Sequence, residues 1–275
     1  MADDYDLVPA ADHDPQPWET EIETSKSGQP VHRYEARTRD FELAIGDMTL
    51  IEAVEKHIES HFGGETTVLH EIMSDLVHVD VHIVHPTDDR PYFTLITSGM
   101  SQRPMTQPTG VEGCQFAELM ICLPPDWPGL DSELMTDDPD HPWQKEKHYW
   151  PIGTLKFLAR FPHEFDTWIW WGHTIPNGDP PEPFAENTNM VGVLLLEPVT
   201  MPESFHTLRV GDRDVNFFAI VPLHEDEMQL KLDEGTEALL PYFNAAKMSE
   251  LLDVGRPSAI PQERQKRKRW WWWPF

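Results

Sequence analysis

The chain has 275 residues, of which 39% are hydrophobic, and its formal net charge at pH 7 is -27. This length and 13 Phe and 11 Trp residues suffice for one large domain with a substantial core. So acidic a surface repels nucleic acid and attracts basic partners, and two cysteines are too few for a disulfide framework.

The N-terminal region, residues 1–40, is predicted to be a flexible acidic leader, because Asp, Pro, Glu and Ser are frequent and periodicity is weak. The first residues lack the basic and apolar regions of a signal peptide, and no apolar run reaches the ~20 residues that span a bilayer. We therefore expect a cytoplasmic protein.

The first regular element is predicted to be a helix that begins at Asp47 or Thr49 and stops at Gly63-Gly64. Its apolar residues recur at helical spacing: Leu50, Ile51, Val54, Ile58 and Phe62. Residues 66–84 then alternate apolar and polar side chains, as strands do.

Two short apolar runs, residues 93–97 and 116–123, predict further strands, with Ser98-Gly99-Met100-Ser101 interrupting the first at a glycine. Residues 124–150 are predicted to form a long loop. A second helix is predicted over residues 150–161, with Pro151 in its first turn and Pro162 ending it.

Residues 167–172, 190–196 and 215–221 are further strand candidates, and residues 225–240 are predicted to be largely helical, divided at Gly235-Thr236. Helices and strands alternate without a regular βαβ repeat. The predicted fold is therefore α+β: a single domain, residues 41–255, with a mixed, mostly antiparallel β-sheet flanked by helices.

Residues 256–275 are predicted to be a basic Trp-rich tail. Residues 255–275 contribute +5 to the net charge, so the first 254 residues carry -32. A weak membrane-surface contact, or a contact with the acidic body, is one hypothesis, and a tail without a specific role is the other. The candidate contacts are Lys266, Arg267, Lys268, Arg269, Trp270, Trp271, Trp272 and Trp273.

His78, Asp80 and His82 alternate with Val79 and Val81, so on a strand they share one face. Such residues can bind zinc or iron, although the spacing alone is a weak indication, and a solvated polar strand face is the alternative. We find no other catalytic set: His173 lacks a paired nucleophile, and His163-Glu164 lacks the second histidine of a zinc-binding helix.

The order of several motifs resembles the suppressor of fused (SUFU) domain family, especially its bacterial members. The motifs lie within residues 45–255, and include His78-Val-Asp-Val-His-Ile-Val84, Thr97-Ser-Gly-Met-Ser101, Glu118-Leu119, Leu123-Pro-Pro-Asp-Trp127, Trp150-Pro-Ile152, Gly172-His-Thr-Ile-Pro-Asn-Gly178, Leu194-Leu-Leu196 and Glu225-Asp-Glu-Met228.

The resemblance implies a protein-binding module without a cofactor. Animal members hold an extended peptide at sheet edges with the help of acidic side chains, and bacterial members are often proposed to be immunity proteins against toxins. In animal members an acidic residue in the loop before the Glu-Leu strand contacts the ligand, and the resemblance implies Glu112 for this role here. Ser98, Gly99, Met100 and Asp80 complete the predicted partner-binding set.

Two function hypotheses follow. The first is a non-catalytic protein, not an enzyme, that binds and sequesters a toxin or another basic partner protein. The second is a metal-dependent enzyme that uses the His78, Asp80 and His82 strand face.

Overall fold

A computed structural model describes residues 19–34, 38–130, 140–262 and 264 of the chain. Much of the predicted leader and all of the predicted tail contacts, Lys266 to Trp273, lie outside these residues. The tail hypothesis therefore stays a prediction. No helix in the part of the chain that the structure describes is long and apolar enough to cross a membrane.

The fold is an eight-stranded mixed sheet with helices on both faces, preceded by a separate hairpin. The hairpin strands are β1 (Glu19–Thr24) and β2 (Pro30–Tyr34). The helices are α1 (Met48–His61), α2 (Glu146–Glu164), α3 (Glu225–Glu234) and α4 (Leu240–Ala246). The sheet strands are β3 (Thr66–Leu69), β4 (Asp80–Val84), β5 (Phe93–Ser98), β6 (Phe116–Leu123), β7 (Thr174–Pro176), β8 (Met190–Leu196), β9 (Thr207–Val210) and β10 (Arg213–His224).

The strand order is β3-β4-β5-β6-β10-β8-β7, and β9 pairs with the first part of β10. Only the β6–β10 pair is parallel among the described strand pairs, with Val215 opposite Phe116. The prediction of an α+β fold with a mixed, mostly antiparallel sheet is confirmed. The short strand β3 lies at one edge of this sheet, and β7 lies at the other.

Each face of the sheet has its own apolar core, because strand side chains alternate between faces. Helix α2 covers one face, where Leu155 and Leu158 pack with Val81 and Leu119. Helix α1 covers the other, where Val54 and Ile58 pack with Ile96, Met120 and Phe217. Burial of the strands on both faces explains why β5 and β6 read as short apolar runs, whereas β4 alternates apolar and polar residues although all five are buried.

Helix α1 begins and ends where its sequence predicts. The Asp47 carboxylate accepts a hydrogen bond from the Leu50 amide at 3.3 Å, which satisfies one of the free N–H groups of the first turn. Gly63-Gly64 follows the last turn, and Gly64 has a positive φ of 101°.

Helix α2 differs from its prediction at both ends. It begins at Glu146, which places Pro151 in its interior, and it continues past Pro162 to Glu164. A proline inside a helix leaves the carbonyl four residues earlier without its N–H donor. The Asn187 side chain supplies the missing donor to the Lys147 carbonyl at 2.9 Å, so the helix tolerates Pro151.

The strand prediction for residues 167–172 is wrong. The Thr167 carbonyl accepts from the Thr106 amide at 3.0 Å, and the Trp170 carbonyl accepts from the His173 amide in a turn. Neither bond belongs to a strand ladder. Apolar side chains in this segment, such as Ile169, are buried by packing rather than by strand pairing.

Packed structure also occurs beyond the predicted ends of the domain. Residues 19–34 of the predicted leader include the hairpin. At the other end, Arg256 donates to the fully buried Glu227 carboxylate at 2.6 Å and to the Pro222 carbonyl at 2.7 Å. Ile260 is buried as well, so this part of the predicted tail packs on the body.

Candidate protein-binding site

The signature segment, residues 97–101, is organised by one buried carboxylate. Glu118 on β6 is fully buried, and its Oε2 accepts from the Thr97 hydroxyl at 2.6 Å. Its Oε1 accepts from the amides of Gly99 at 2.9 Å and Ser101 at 3.0 Å, and from the Ser101 hydroxyl at 2.5 Å. Burial raises the pKa of Glu118, and these hydrogen bonds oppose the rise because they favour the charged form.

Gly99 allows the signature segment to lie directly on the chain before β4. Its φ is 116°, and a Cβ at this position would lie 1.7 Å from the His78 carbonyl oxygen. No other side chain fits there. The Gln102 side chain donates to the same carbonyl at 3.1 Å. The glycine that interrupts the predicted strand therefore lies where two backbone segments approach each other closely.

The predicted metal ligands do not converge. The two Asp80 oxygens contact His70 Nδ1 at 3.0 Å and His78 Nε2 at 3.2 Å, and Oδ1 also accepts from the Glu71 amide at 2.9 Å. His82 Nε2 instead contacts the Ser98 hydroxyl at 2.9 Å.

Within the described ranges, no group of three or more His, Cys, Asp or Glu residues is arranged to hold a metal ion. The residues of this strand face therefore do not fit the predicted metal centre. Most of this face is not solvated either, because Asp80 and His82 are buried and only His78 is partly exposed.

The predicted partner-binding residues fall into two groups. Asp80, Ser98, Gly99 and Met100 are buried, so their side chains are not accessible to a partner in this conformation. Glu112 is exposed, in the loop that joins the signature segment to β6. Of this set, Glu112 alone could contact a partner in the present conformation.

An exposed apolar surface lies elsewhere, and the sequence reasoning missed it. Its six side chains are between 57% and 89% exposed. We call them the apolar stripe: Phe41, Leu43, Ile45, Met48, Ile72 and Met73. Exposed apolar side chains on adjacent segments are typical of interaction surfaces, whereas isolated ones are normal on any protein, and a backbone bridge joins the two segments that carry these six.

Hydrogen bonds hold the two segments of the stripe side by side. Leu43 and Asp75 form an antiparallel bridge, and the Ala44 amide donates to the Ser74 carbonyl at 3.1 Å. Arg39 donates to both Asp75 carboxylate oxygens at 2.9 Å and to Glu164 on α2 at 3.0 Å. These carboxylates raise the pKa of Arg39 and fix the first segment to the body.

The region around the stripe is strongly acidic: residues 38–75 include nine acidic and two basic residues. Exposed apolar side chains within an acidic region suit a partner that presents apolar and basic groups together. The local sequence does not indicate this surface, since Phe41, Leu43 and Ile45 are separated by Glu42 and Ala44 and do not alternate regularly with polar residues.

Comparisons with known proteins match this chain at the level of the family and the fold. The family model described as "Suppressor of fused protein (SUFU)" matches residues 75–257. The search of curated proteins returns no match.

Several solved structures share the fold. A putative SUFU homologue from Neisseria gonorrhoeae FA 1090 has 17% identity and a TM-score of 0.52, with 78% of this chain and 97% of that chain covered. A structure titled the Sufu-Fu complex has 14% identity and a TM-score of 0.52, with 82% and 96% covered. Drosophila Suppressor of Fused has 15% identity and a TM-score of 0.51, with 84% and 55% covered.

Proposed function

This chain belongs to the suppressor of fused family, and we propose that it is a non-catalytic module that binds and sequesters a basic partner protein. One structure with the same fold is a complex of Sufu with Fu, so a relative binds another protein. The observation that carries the proposal is the apolar stripe within its acidic surroundings.

The partner we propose is a toxin domain, which makes this chain an immunity-type protein of a bacterium. A net charge of -27 accelerates encounter with a basic protein, and a toxin that binds nucleic acid would offer a basic surface. The apolar stripe would then supply the desolvated centre of the interface, surrounded by charged groups.

We propose a cytoplasmic location for the complex. Cys114 and Cys122 are both free and buried, and burial raises their pKa values to about 11 and about 12. Such thiols are unreactive, which suits a reducing compartment.

Capture from a lysate of the native organism tests the proposal. At 50 mM NaCl the chain should retain a basic protein, and retention should fall at least tenfold at 500 mM NaCl because steering charges are screened. The variant I45D/M73D should lose retention at least tenfold. The control E182Q/E237Q changes two exposed acidic residues outside the stripe and should retain the partner within about twofold.

Retention of the same protein by I45D/M73D as by the wild type would contradict the proposal. Recovery of no specific protein at 50 mM NaCl would contradict it as well.

A further inference from the structure

A groove lies between α1 and the edge strand β3, and of its lining residues only His82 belongs to a predicted site. Its cavity volume is about 250 Å³. Ile58 of α1 and Phe62, which follows the last residue of α1, form one wall. Val68 of β3 forms the other, and the buried His82 lies at the base. Glu55 and Glu59 line the exposed side.

The base of the groove has an unsatisfied polar atom. His82 is 1% exposed, and its Nε2 contacts the Ser98 hydroxyl at 2.9 Å. Its Nδ1 has no hydrogen-bond partner among the residues that the structure describes. A buried polar atom without a partner costs about 1–3 kcal/mol, so it calls for an explanation.

The protonation state of His82 defines what this atom can bind. Burial lowers the pKa of His82 to about 4, so the ring is neutral at pH 7. A neutral imidazole has one donor and one acceptor nitrogen. When Nε2 donates to Ser98, Nδ1 is an acceptor, and it can bind an N–H group.

Two carboxylates line the exposed side of the groove, and Arg90, the cation beside its Phe62 wall, already donates to the Gly63 and His85 carbonyls. Glu55 and Glu59 are four residues apart on α1, so their carboxylates are neighbours that repel each other. Neither Glu55 nor Glu59 has an ion-pair partner among the described residues. The neighbouring cation on the helix, Lys56, pairs with Glu52 at 3.7 Å. A bound cation would relieve this repulsion.

We propose that the α1/β3 groove binds a lysine or arginine side chain of the partner protein. The stem of that side chain packs on Ile58, Phe62 and Val68, its charge meets Glu55 and Glu59, and His82 accepts a hydrogen bond from it. The identity of the occupant as a partner residue rests on the proposed function, whereas the affinity of the groove for a cation can be measured on the chain alone.

An NMR titration of the full ¹⁵N-labelled chain with n-butylammonium chloride, which matches a lysine side chain, tests the groove at pH 7 and 20 mM salt. We expect saturable shifts confined to α1, β3 and the His82 ring nitrogens. The neutral analogue n-butanol should bind at least fivefold more weakly. The variant E55Q/E59Q should weaken amine binding at least fivefold, and E182Q/E237Q should leave it within about twofold.

Three results would overturn the inference. They are absence of saturable shifts in the groove, binding of n-butanol as strong as that of the amine, and equal weakening of amine binding in the two variants. The partner is the second arm: E55Q/E59Q should weaken its capture. If the amine binds but partner capture is unaffected by E55Q/E59Q, the occupant is not a partner residue. Stripe-dependent capture without amine binding would leave the proposed function intact and overturn the groove alone.

Discussion

The signature segment and the apolar stripe differ in almost every physical respect. The signature segment is buried, polar and fixed by the Glu118 carboxylate, whereas the stripe is exposed and apolar, and its anchor is the Arg39 ion pairs. The signature segment, one of the motifs that resemble the family, therefore maintains the fold, and the exposed apolar side chains lie outside it. Substitutions in the two regions should separate stability from binding.

The largest effect is expected for G99A. Its Cβ would overlap the His78 carbonyl oxygen at a φ of 116°, so we expect a loss of more than about 4 kcal/mol or failure to fold. The control G110A has a φ of 88° and open space around its Cβ, and it should cost about 1 kcal/mol. Urea denaturation measures both. Equal losses would show that the close approach at Gly99 does not matter.

E118Q should follow, with a loss of about 2–4 kcal/mol in the free energy of unfolding. The two Glu118 oxygens together accept four hydrogen bonds, and glutamine replaces one of these oxygens by an NH2 group, which cannot accept. The exposed E112Q should change the free energy of unfolding by no more than about 0.5 kcal/mol. A fully stable E118Q would contradict the role given to this carboxylate.

Stability should also fall in acid. Burial lowers the pKa values of His82 and His163 to about 4. Their contribution to the free energy of unfolding is therefore fully present above pH 6.5 and is lost as the pH falls towards 4. His163 Nε2 contacts the Met100 carbonyl at 2.9 Å, which a glutamine amide can also reach. H163Q should reduce the slope of the free energy of unfolding against pH by up to about 1.4 kcal/mol per pH unit, because unfolding then takes up one proton fewer.

The raised pKa of Glu118 acts in the opposite direction, so comparison of H163Q with the wild type isolates the histidine. Urea denaturation at pH 6.5, 5.5 and 4.5 gives the two slopes. Identical slopes would show that His163 does not titrate in this range.

A small effect on stability is expected for I45D/M73D as well, because both side chains are already in water. The free energy of unfolding should change by no more than about 0.5 kcal/mol per substitution. A larger loss in urea denaturation would show that the stripe packs within the protein and is not a free surface.

The sequence predicted the sheet and α1 because buried strands and a capped amphipathic helix depend on local patterns. It did not predict the true ends of α2, since the donor that compensates Pro151 comes from Asn187, far along the chain. The burial of Ser98, Gly99 and Met100, three of the five predicted partner contacts, involves hydrogen bonds to Glu118 that cross from β5 to β6, and local sequence patterns do not reveal these bonds. Exposure of Ile45 and Met73 likewise depends on tertiary packing that no local pattern encodes.

Hydrogen exchange of the complex with its captured partner tests the central claim most directly. Binding should slow exchange in residues 41–48 and 70–75 at least tenfold, and should leave residues 97–101 unchanged because they are already protected. Protection confined to residues 103–115 around Glu112, with unchanged exchange in residues 41–48 and 70–75, would contradict the account.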